Sequence, residues 1–166
     1  MLIAFCGLPG TGKTTLARGL AQALQATYLR INSIEEALWA DEGGPLVAAG
    51  TGYRVAYAVA EDNLNLGRTV IADAVNPIRL TRQAWHQIAK RAGVKCIDVV
   101  VTCSDIAQHK RRVEARSPAS RGASWTEILD REFVAVDHDA IVIDTSKGPV
   151  QQCLAALQTA LQARVR

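Results

Sequence analysis

The clearest candidate for a functional site in this chain is a glycine-rich loop at residues 7–14. The loop reads Gly-Leu-Pro-Gly-Thr-Gly-Lys-Thr, which matches the pattern G-x-x-x-x-G-K-[ST]. Glycines let such a loop wrap its backbone N–H groups around a phosphate, because they accept backbone angles that other residues resist. The lysine brings positive charge to the β- and γ-phosphates, and the hydroxyl that follows can ligate Mg²⁺. The pattern therefore predicts a binding site for a nucleoside triphosphate and Mg²⁺, and we expect the nucleotide to be ATP.

The residues predicted to bind the nucleotide belong to this loop or to the first turn of the helix after it. They are Gly7, Gly10, Thr11, Gly12, Lys13, Thr14 and Thr15, with Lys13 also catalytic and Thr14 also a Mg²⁺ ligand. The alternative is a plain glycine turn between a strand and a helix. An apolar run stands directly before the loop and a helical stripe directly after it, which is the context that the phosphate-binding motif requires.

The elements that would position this loop follow from a hydrophobic period that alternates between strand-like runs and helical stripes. The predicted strands cover residues 2–6, 27–31, 69–72, 94–103 and 140–143. The predicted helices cover residues 12–25, 53–66, 77–91, 105–116, 125–136 and 149–163, and one more is expected to start with Ser33 as its N-cap. Such alternation predicts a three-layer α/β/α fold with a mostly parallel sheet of about five strands, in a single domain over 1–166.

Length and composition exclude several classes of protein. At 166 residues, of which 49% are hydrophobic and 21% charged, the chain is expected to be globular rather than disordered. No apolar run approaches the length of about 18 residues that a membrane span needs. The four cysteines are far apart in the sequence, which favours a reduced, cytoplasmic protein over a disulfide-bonded one. A net charge of +3 is too small to indicate nucleic-acid binding by itself.

Three further segments make the chain resemble a known family. They read Arg-Ile-Asn-Ser-Ile-Glu at 30–35, Thr-Val-Ile-Ala-Asp-Ala-Val-Asn-Pro at 69–77 and Arg-Arg-Val-Glu-Ala-Arg at 111–116. With the loop, they resemble the small P-loop kinases of the polynucleotide-kinase, zeta-toxin and chloramphenicol-phosphotransferase-like group. The resemblance implies a P-loop NTPase fold of the nucleotide-kinase type, with a short arginine-bearing lid near 111–124 and an acceptor side near 32–66. It also implies transfer of the γ-phosphoryl group of ATP to an acceptor hydroxyl or phosphate.

Two aspartates compete for the role of the second Mg²⁺ ligand. Asp73 and Asp144 each follow a β-branched run, at the carboxyl edge where open α/β sheets bind ligands. Asp73 is favoured because Asn76 and Pro77 follow it as in the resembled kinases, and the alternative is a carboxylate that caps a helix. Asp98 begins its apolar run rather than ending it, so it is expected at the opposite edge of the sheet.

An arginine-rich helix precedes a loop of small residues at 117–124. Arg112 and Arg116 are four residues apart and therefore share one face of that helix, while Arg121 lies in the loop. The resemblance makes them lid arginines, whose guanidinium groups would stabilise the charge that develops during phosphoryl transfer. The alternative is a solvated basic face of the helix.

The acceptor side carries one departure from the resembled family. Those kinases commonly have an aspartate after the second strand, where it accepts the proton of the acceptor hydroxyl, and here the matching residue is Asn32. An amide cannot act as a general base. Three explanations stay open: a phosphate acceptor that needs no base, a relocated base such as Glu35, or loss of the transfer reaction. Tyr53, Arg54 and Tyr57 could contact an acceptor, or equally be surface and core-edge residues.

The leading hypothesis is an ATP-dependent phosphotransferase that acts on a small-molecule or nucleotide-like acceptor. The second is a nucleotide-binding ATPase or switch without a phosphorylated product. The third is a polynucleotide 5′-kinase, which would need a basic, aromatic-lined channel for a nucleic acid strand. The small net charge argues against a nucleic acid partner without excluding it.

The remaining metal-ligand residue types suggest no further site in the sequence. His86, His109 and His138 have no partner at metal-ligand spacing, so they are expected to be surface or capping residues. The cysteines form no C-x-x-C pair. The sequence therefore predicts no zinc or redox centre.

Overall fold

The computed structural model describes residues 1–41, 50–116, 123–136 and 139–165. Its strands are β1 (Leu2–Cys6), β2 (Thr27–Arg30), β3 (Val70–Asp73), β4 (Cys96–Thr102) and β5 (Ile141–Asp144). Its helices are α1 (Lys13–Leu24), α2 (Ile31–Asp41), α3 (Thr51–Asn65), α4 (Arg79–Arg91), α5 (Ile106–Glu114), α6 (Trp125–Leu129) and α7 (Val150–Val165). Each predicted strand is present, with its ends shifted by at most two residues.

The strands form one parallel sheet in the order β2-β3-β1-β4-β5. Ala4 in β1 lies opposite Ala72 of β3 on one side and Asp98 of β4 on the other, so β1 is the central strand. Because parallel strands all end at the same edge, the segments that follow β1, β3 and β4 meet there. The predicted parallel sheet is confirmed, and it brings the glycine-rich loop beside Asp73.

Two hydrophobic layers hold helices on opposite faces of the sheet. Successive side chains of a strand point to opposite faces. Ile3 and Phe5 therefore pack in a layer with α1 and α7, while Leu2 and Ala4 pack in a layer with α3 and α4. Trp85 of α4 is fully buried in the second layer. This arrangement confirms the predicted three-layer α/β/α fold.

Two helix boundaries differ from the sequence prediction. The helix after β2 begins at Ile31 rather than after Ser33, because Ile31 is buried in the core directly where the strand ends. The Ser33 hydroxyl instead accepts a hydrogen bond from the last residue of β2 at 3.0 Å. Helix α6 ends at Leu129, earlier than predicted. The backbone beyond it runs beside the loop that follows β3, where the N–H of Val134 donates to the carbonyl of Pro77 at 2.9 Å.

Some predicted features lie outside the described residues. They are part of the acceptor side (42–49), most of the lid loop (117–122) with Arg121, and His138. Within the described ranges, no helix is long and apolar enough to cross a membrane. The described strands belong to a single sheet, and the assignment of 1–166 to one domain remains a prediction.

Candidate functional site

The glycine-rich loop joins β1 to α1 at the carboxyl edge of the sheet. Gly7 has a φ of 145° and Gly10 a φ of 90°, which are angles that favour glycine. A Cβ on Gly7 would lie 2.3 Å from the carbonyl oxygen of Val101. A Cβ on Gly10 would lie 2.5 Å from Cγ2 of Val113. The loop can therefore take this shape only with glycine at both positions.

The loop borders a cavity of about 680 Å³, which we call the loop cavity. The predicted nucleotide-binding residues that line it are Gly10, Gly12, Lys13, Thr14 and Thr15. Its other lining residues include Gln108, Arg112, Arg116, Thr145, Ser146 and Cys153. Gly7 and Thr11 do not line it. The Thr11 hydroxyl donates to the carbonyl of Leu8 at 2.9 Å, so these two residues shape the loop rather than face the cavity.

Lys13 and Asp73 form a buried ion pair at the edge of the loop cavity. Lys13 Nζ lies 3.0 Å from Asp73 Oδ1, and the two side chains are 10% and 1% exposed. The Tyr28 hydroxyl donates to Asp73 Oδ2 at 2.7 Å, and the Thr14 side chain is near enough to the carboxylate to lower its pKa. Burial opposes ionisation of Asp73, but the charge of Lys13 and these hydrogen bonds hold its pKa below the ordinary value. Asp73 is therefore a carboxylate already oriented toward the loop.

The residues around this pair fit Mg²⁺. Thr14 offers a hydroxyl and Asp73 a carboxylate, and Mg²⁺ prefers oxygen ligands. Thr14 follows Lys13 directly and lowers the pKa of Asp73, so both predicted ligands lie near the Lys13–Asp73 ion pair. The structure thus brings together the pair that the sequence favoured.

Asp144, the rival carboxylate, is engaged elsewhere. Its Oδ2 accepts from the Ser104 hydroxyl at 2.5 Å, and its Oδ1 accepts from the Ser146 hydroxyl at 2.7 Å. These hydrogen bonds outweigh the effect of burial and hold the pKa of Asp144 well below its ordinary value. Since β5 is three strands from β3 in the sheet, Asp144 and Asp73 cannot share one metal site.

Arg112 is fixed against the loop by a residue that the sequence analysis missed. Its Nη1 donates to Thr145 Oγ1 at 2.7 Å and its Nη2 donates to the Thr145 carbonyl at 3.2 Å. The Thr145 hydroxyl in turn donates to the carbonyl of Thr11 in the loop at 2.6 Å. Thr145 follows directly on β5, so its position at the carboxyl edge was the available signal. The Arg112 side chain therefore lines the loop cavity, and its hydrogen bonds to Thr145 fix its orientation.

A second cavity, of about 400 Å³, lies on the other side of the loop. Its lining includes Asn32, Glu35, Trp39, Tyr53, Thr81 and Arg131. Pro9 and Arg116 line both this cavity and the loop cavity. The pKa of Arg116 is lowered mainly by burial of its side chain and to a lesser degree by the nearby positive charge of Arg30. Arg116 therefore stands where the two cavities meet, close to a second guanidinium.

Glu35 and Asn32, the two candidates for the base position, both line the second cavity on α2. Glu35 is half-buried, and burial followed by the charge of Glu36 raises its pKa. Asn32 is exposed in the first turn of α2. Helix α3 packs closely here, because a Cβ on Gly52 would lie 2.4 Å from Cγ of Glu35. Glu35 is thus the carboxylate that the fold holds against the acceptor side.

The other predicted acceptor-side residues separate into two groups. Tyr53 lines the second cavity, and its hydroxyl accepts a hydrogen bond from the backbone N–H of Asn76 at 3.2 Å. The Tyr57 hydroxyl donates to the carbonyl of Thr81 at 3.2 Å, which ties α3 to α4. Arg54 is exposed and lines neither cavity. The sequence analysis used Asn76 only as part of the family resemblance, yet its side chain is fully buried and donates to the carbonyl of Phe5 at 2.8 Å.

The prediction that His109 is a surface or capping residue is wrong. Its side chain is buried, and its Nε2 lies 2.8 Å from the carbonyl of Pro9 in the loop. The Trp125 ring stacks edge-on against it with centroids 5.2 Å apart. The arginine-rich sequence around His109 predicts an exposed side chain. The side chain is buried because α5 packs against the glycine-rich loop. His109 thus links the loop to α6.

Comparison with known proteins shows the family to which the chain belongs. The family described as an AAA domain matches residues 2–132. The chain belongs to this family. Over 98% of its length it is 24% identical to a probable adenylyl-sulfate kinase of Aeropyrum pernix, covering 93% of that protein.

Several solved structures of similar fold are named as kinases. A putative kinase from Chloroflexus aurantiacus superposes with a TM-score of 0.75 at 20% identity, over 98% of this chain and 96% of that one. The APS kinase CysC of Mycobacterium tuberculosis in complex with AMPPNP and APS gives 0.71 at 18% identity, over 95% of each chain. Membership of the AAA domain family and these neighbours confirm the predicted resemblance to a small P-loop kinase.

Proposed function

We propose that this AAA domain protein is an ATP-dependent kinase that binds MgATP in the loop cavity and a small acceptor in the second cavity. The observation that carries the proposal is that the two cavities meet at the loop, where Pro9 and Arg116 line both. Phosphoryl transfer needs the donor phosphate and the acceptor atom in line at short distance, and the enzyme contributes mostly position and charge. The named kinases that resemble the chain over nearly its whole length agree with the phosphotransferase predicted from the sequence.

The donor side is formed by Lys13, Thr14 and Asp73. The Lys13 ammonium, which contacts Asp73 at 3.0 Å, would turn to the β- and γ-phosphates of a bound nucleotide. Thr14 and Asp73 would hold Mg²⁺, which when bound supplies positive charge to the phosphate oxygens. Tyr28 keeps hold of the second oxygen of Asp73, so the carboxylate retains its orientation after Lys13 has left.

The two arginines have different roles in this proposal. Arg112 is hydrogen-bonded to Thr145, so its charge is fixed beside the bound nucleotide before and during the reaction. Arg116 stands between the cavities, where negative charge develops on the transferring phosphoryl group. Arg116 is therefore the transition-state residue and Arg112 a ground-state residue.

The acceptor side favours Glu35 as the base. Asn32 has no titratable group, whereas Glu35 has a pKa shifted upward toward neutrality and lines the same cavity. A volume of about 400 Å³ suits a small molecule rather than a nucleic acid strand. Adenylyl sulfate, the acceptor named with a related kinase, is the first candidate to test.

The test is a transfer assay with γ-labelled ATP, Mg²⁺ and a panel of acceptors that includes adenylyl sulfate, neutral polyols and nucleoside monophosphates. Label on an acceptor supports the kinase, and label released only as free phosphate supports the ATPase. Lys13→Ala is the inactive control. Arg111→Ala is the matched control, since Arg111 is an exposed residue of the same helix as Arg112 and lines neither cavity.

A nucleotide-binding switch without transfer is the second candidate, because one specific observation favours it. Asn32 occupies the position where the resembled kinases commonly have their catalytic aspartate. A switch would bind ATP in the loop cavity, leave every acceptor unlabelled and show no change of ATP turnover in Glu35→Gln. The kinase would lose transfer in that variant.

A further inference from the structure

A cluster of three metal-ligand side chains lies away from both cavities. Cys96 and Asp98 are two residues apart in β4 and point to the same face of the sheet. Helix α4 crosses that face and places His86 above them, with its Nε2 2.6 Å from Asp98 Oδ2. One donor atom from each of the three residues lies within 4.8 Å of the other two. Helix α4 and strand β4 thus bring a nitrogen, a sulfur and an oxygen donor close to one point.

We propose that His86, Cys96 and Asp98 bind one divalent transition-metal ion, for which Zn²⁺ is the best match. A nitrogen, a sulfur and an oxygen ligand suit Zn²⁺, while the thiol makes the site unsuited to Mg²⁺. Three protein ligands leave the fourth tetrahedral position to water. The His86 side chain is 40% exposed, so both the ion and the water have access from solvent.

Ligand binding would require side-chain rotations at His86 and Cys96. In a tetrahedral site with metal–ligand bonds near 2.1 Å, neighbouring nitrogen and oxygen ligands are about 3.4 Å apart. His86 Nε2 and Asp98 Oδ2 are 2.6 Å apart and would separate by less than about 1 Å, which a rotation of the half-exposed His86 side chain supplies. The sulfur of Cys96 lies within 4.8 Å of the other two donor atoms, and a rotation of its side chain would bring it to bonding distance.

The electrostatics of the cluster favour a cation. The carboxylate of Asp98 is 1% exposed, and a buried carboxylate is stable only near positive charge. The hydrogen bond to Asp98 raises the pKa of His86, so the imidazole takes up a proton more readily than usual. Burial, and then the charge of Asp98, raise the pKa of the Cys96 thiol. An ion with two positive charges can replace these protons, and its binding releases the thiol proton of Cys96 as the sulfur–metal bond forms.

The position of the cluster separates it from the nucleotide. Asp98 lies opposite Ala4, in the middle of β1, whereas the glycine-rich loop begins only after the end of that strand. None of the three residues lines the loop cavity or the second cavity. A metal here would join α4 to β4 and stabilise the second hydrophobic layer without touching the nucleotide.

The test uses the untagged, full-length protein after treatment with a chelator. Titration with Co²⁺ should give a thiolate-to-cobalt charge-transfer band that saturates at one ion per chain and is displaced by Zn²⁺. Cys96→Ser should abolish the band. Cys153→Ser is the control and should keep it, because Cys153 is a buried cysteine on α7, in the other hydrophobic layer. Zn²⁺ should raise the melting temperature of the wild type.

Three outcomes would overturn the proposal. The first is a folded wild type that shows no charge-transfer band. The second is a band that survives in Cys96→Ser, and the third concerns His86. Retained MgATP binding verifies that Cys96→Ser is folded. His86→Ala, a change on the half-exposed helix surface, gives a second measurement, and a Co²⁺ affinity reduced by less than tenfold would also contradict the site.

Discussion

Lys13 Nζ and Asp73 Oδ1 lie 3.0 Å apart, which joins the phosphate-binding loop to the end of the neighbouring strand. Under the proposed function, a bound phosphate would compete with Asp73 for the lysine, and a bound cation would compete with Lys13 for the carboxylate. Nucleotide and Mg²⁺ should therefore bind together more tightly than either binds alone, because each releases the partner that the other needs.

Lys13→Ala should weaken MgATP binding by more than tenfold while the sheet still forms. The loop shape comes from its glycines, so the variant keeps the loop. Because it also leaves the buried Asp73 carboxylate without its ion-pair partner, its melting temperature should fall, and binding is measured below that temperature. Calorimetry with MgATP provides the measurement, and Lys90→Ala, an exposed lysine of α4, is the control. Equal affinity in Lys13→Ala and the wild type would contradict the assignment of the loop.

Tyr28→Phe should raise the Mg²⁺ concentration needed for half-maximal ATP binding by several-fold. The change removes the hydrogen bond to Asp73 Oδ2 and keeps the ring, so the carboxylate loses its orientation. A hydrogen bond to a charged group contributes about 1.5–3 kcal/mol, so the melting temperature should fall as well. Tyr57→Phe, whose hydroxyl bonds a carbonyl far from Asp73, should leave the Mg²⁺ requirement unchanged.

Arg116→Ala should lower kcat far more than it lowers ATP affinity, and Arg112→Ala should do the reverse. Interactions made only in the transition state raise kcat, whereas Arg112 is already fixed by Thr145 in the ground state. Steady-state kinetics with the identified acceptor, or the basal ATPase rate, separates the two. Arg111→Ala should match the wild type in both quantities. Loss of ATP affinity with a normal rate in Arg116→Ala would refute its transition-state role.

Glu35→Gln should reduce transfer to a hydroxyl acceptor by about 10²–10⁴-fold, the usual contribution of a general base. Because burial raises the pKa of Glu35, the wild-type rate should fall with decreasing pH at values above the ordinary 4.5 of a glutamate. The variant should lose this limb of the pH profile. Glu36→Gln should retain the limb but move it to lower pH, because the charge of Glu36 contributes to the raised pKa of Glu35.

Asn32→Asp should keep ATP binding and raise the transfer rate toward hydroxyl acceptors, because it supplies the carboxylate that the resembled kinases commonly have. Recovery of a tenth of the usual general-base effect would be measurable. Robust wild-type transfer to a phosphate acceptor, with no gain for any hydroxyl acceptor in the variant, would instead indicate that the reaction needs no base.

His86 should make the stability of the metal-free protein depend on pH. Its hydrogen bond to Asp98 raises the folded-state pKa above the ordinary 6.5. This contribution is therefore fully present below pH 6.5 and is lost as pH rises through the folded-state pKa. Urea unfolding in chelator between pH 5.5 and about 8.5 measures it. His86→Gln should flatten the curve, and Gln87→Ala, its exposed neighbour on α4, should not.

The local features of this protein could be predicted from the sequence. The glycine-rich loop depends on backbone angles that only its own residues set, and alternating hydrophobic periods identify strands and helices without knowledge of their neighbours. The choice of Asp73 over Asp144 rested on strand ends and on a resemblance. The structure then pairs Asp73 with Lys13 across 60 residues of sequence.

Only the tertiary structure decided which side chains share an environment. Arg116 reads as one of several arginines, yet its place between two cavities follows from how α5 lies against the loop. His109 and the cluster of His86, Cys96 and Asp98 gave no signal in the sequence, because their partners come from other elements. Backbone conformation is determined locally, whereas burial, charge pairing and metal-ligand geometry depend on the packing of distant segments.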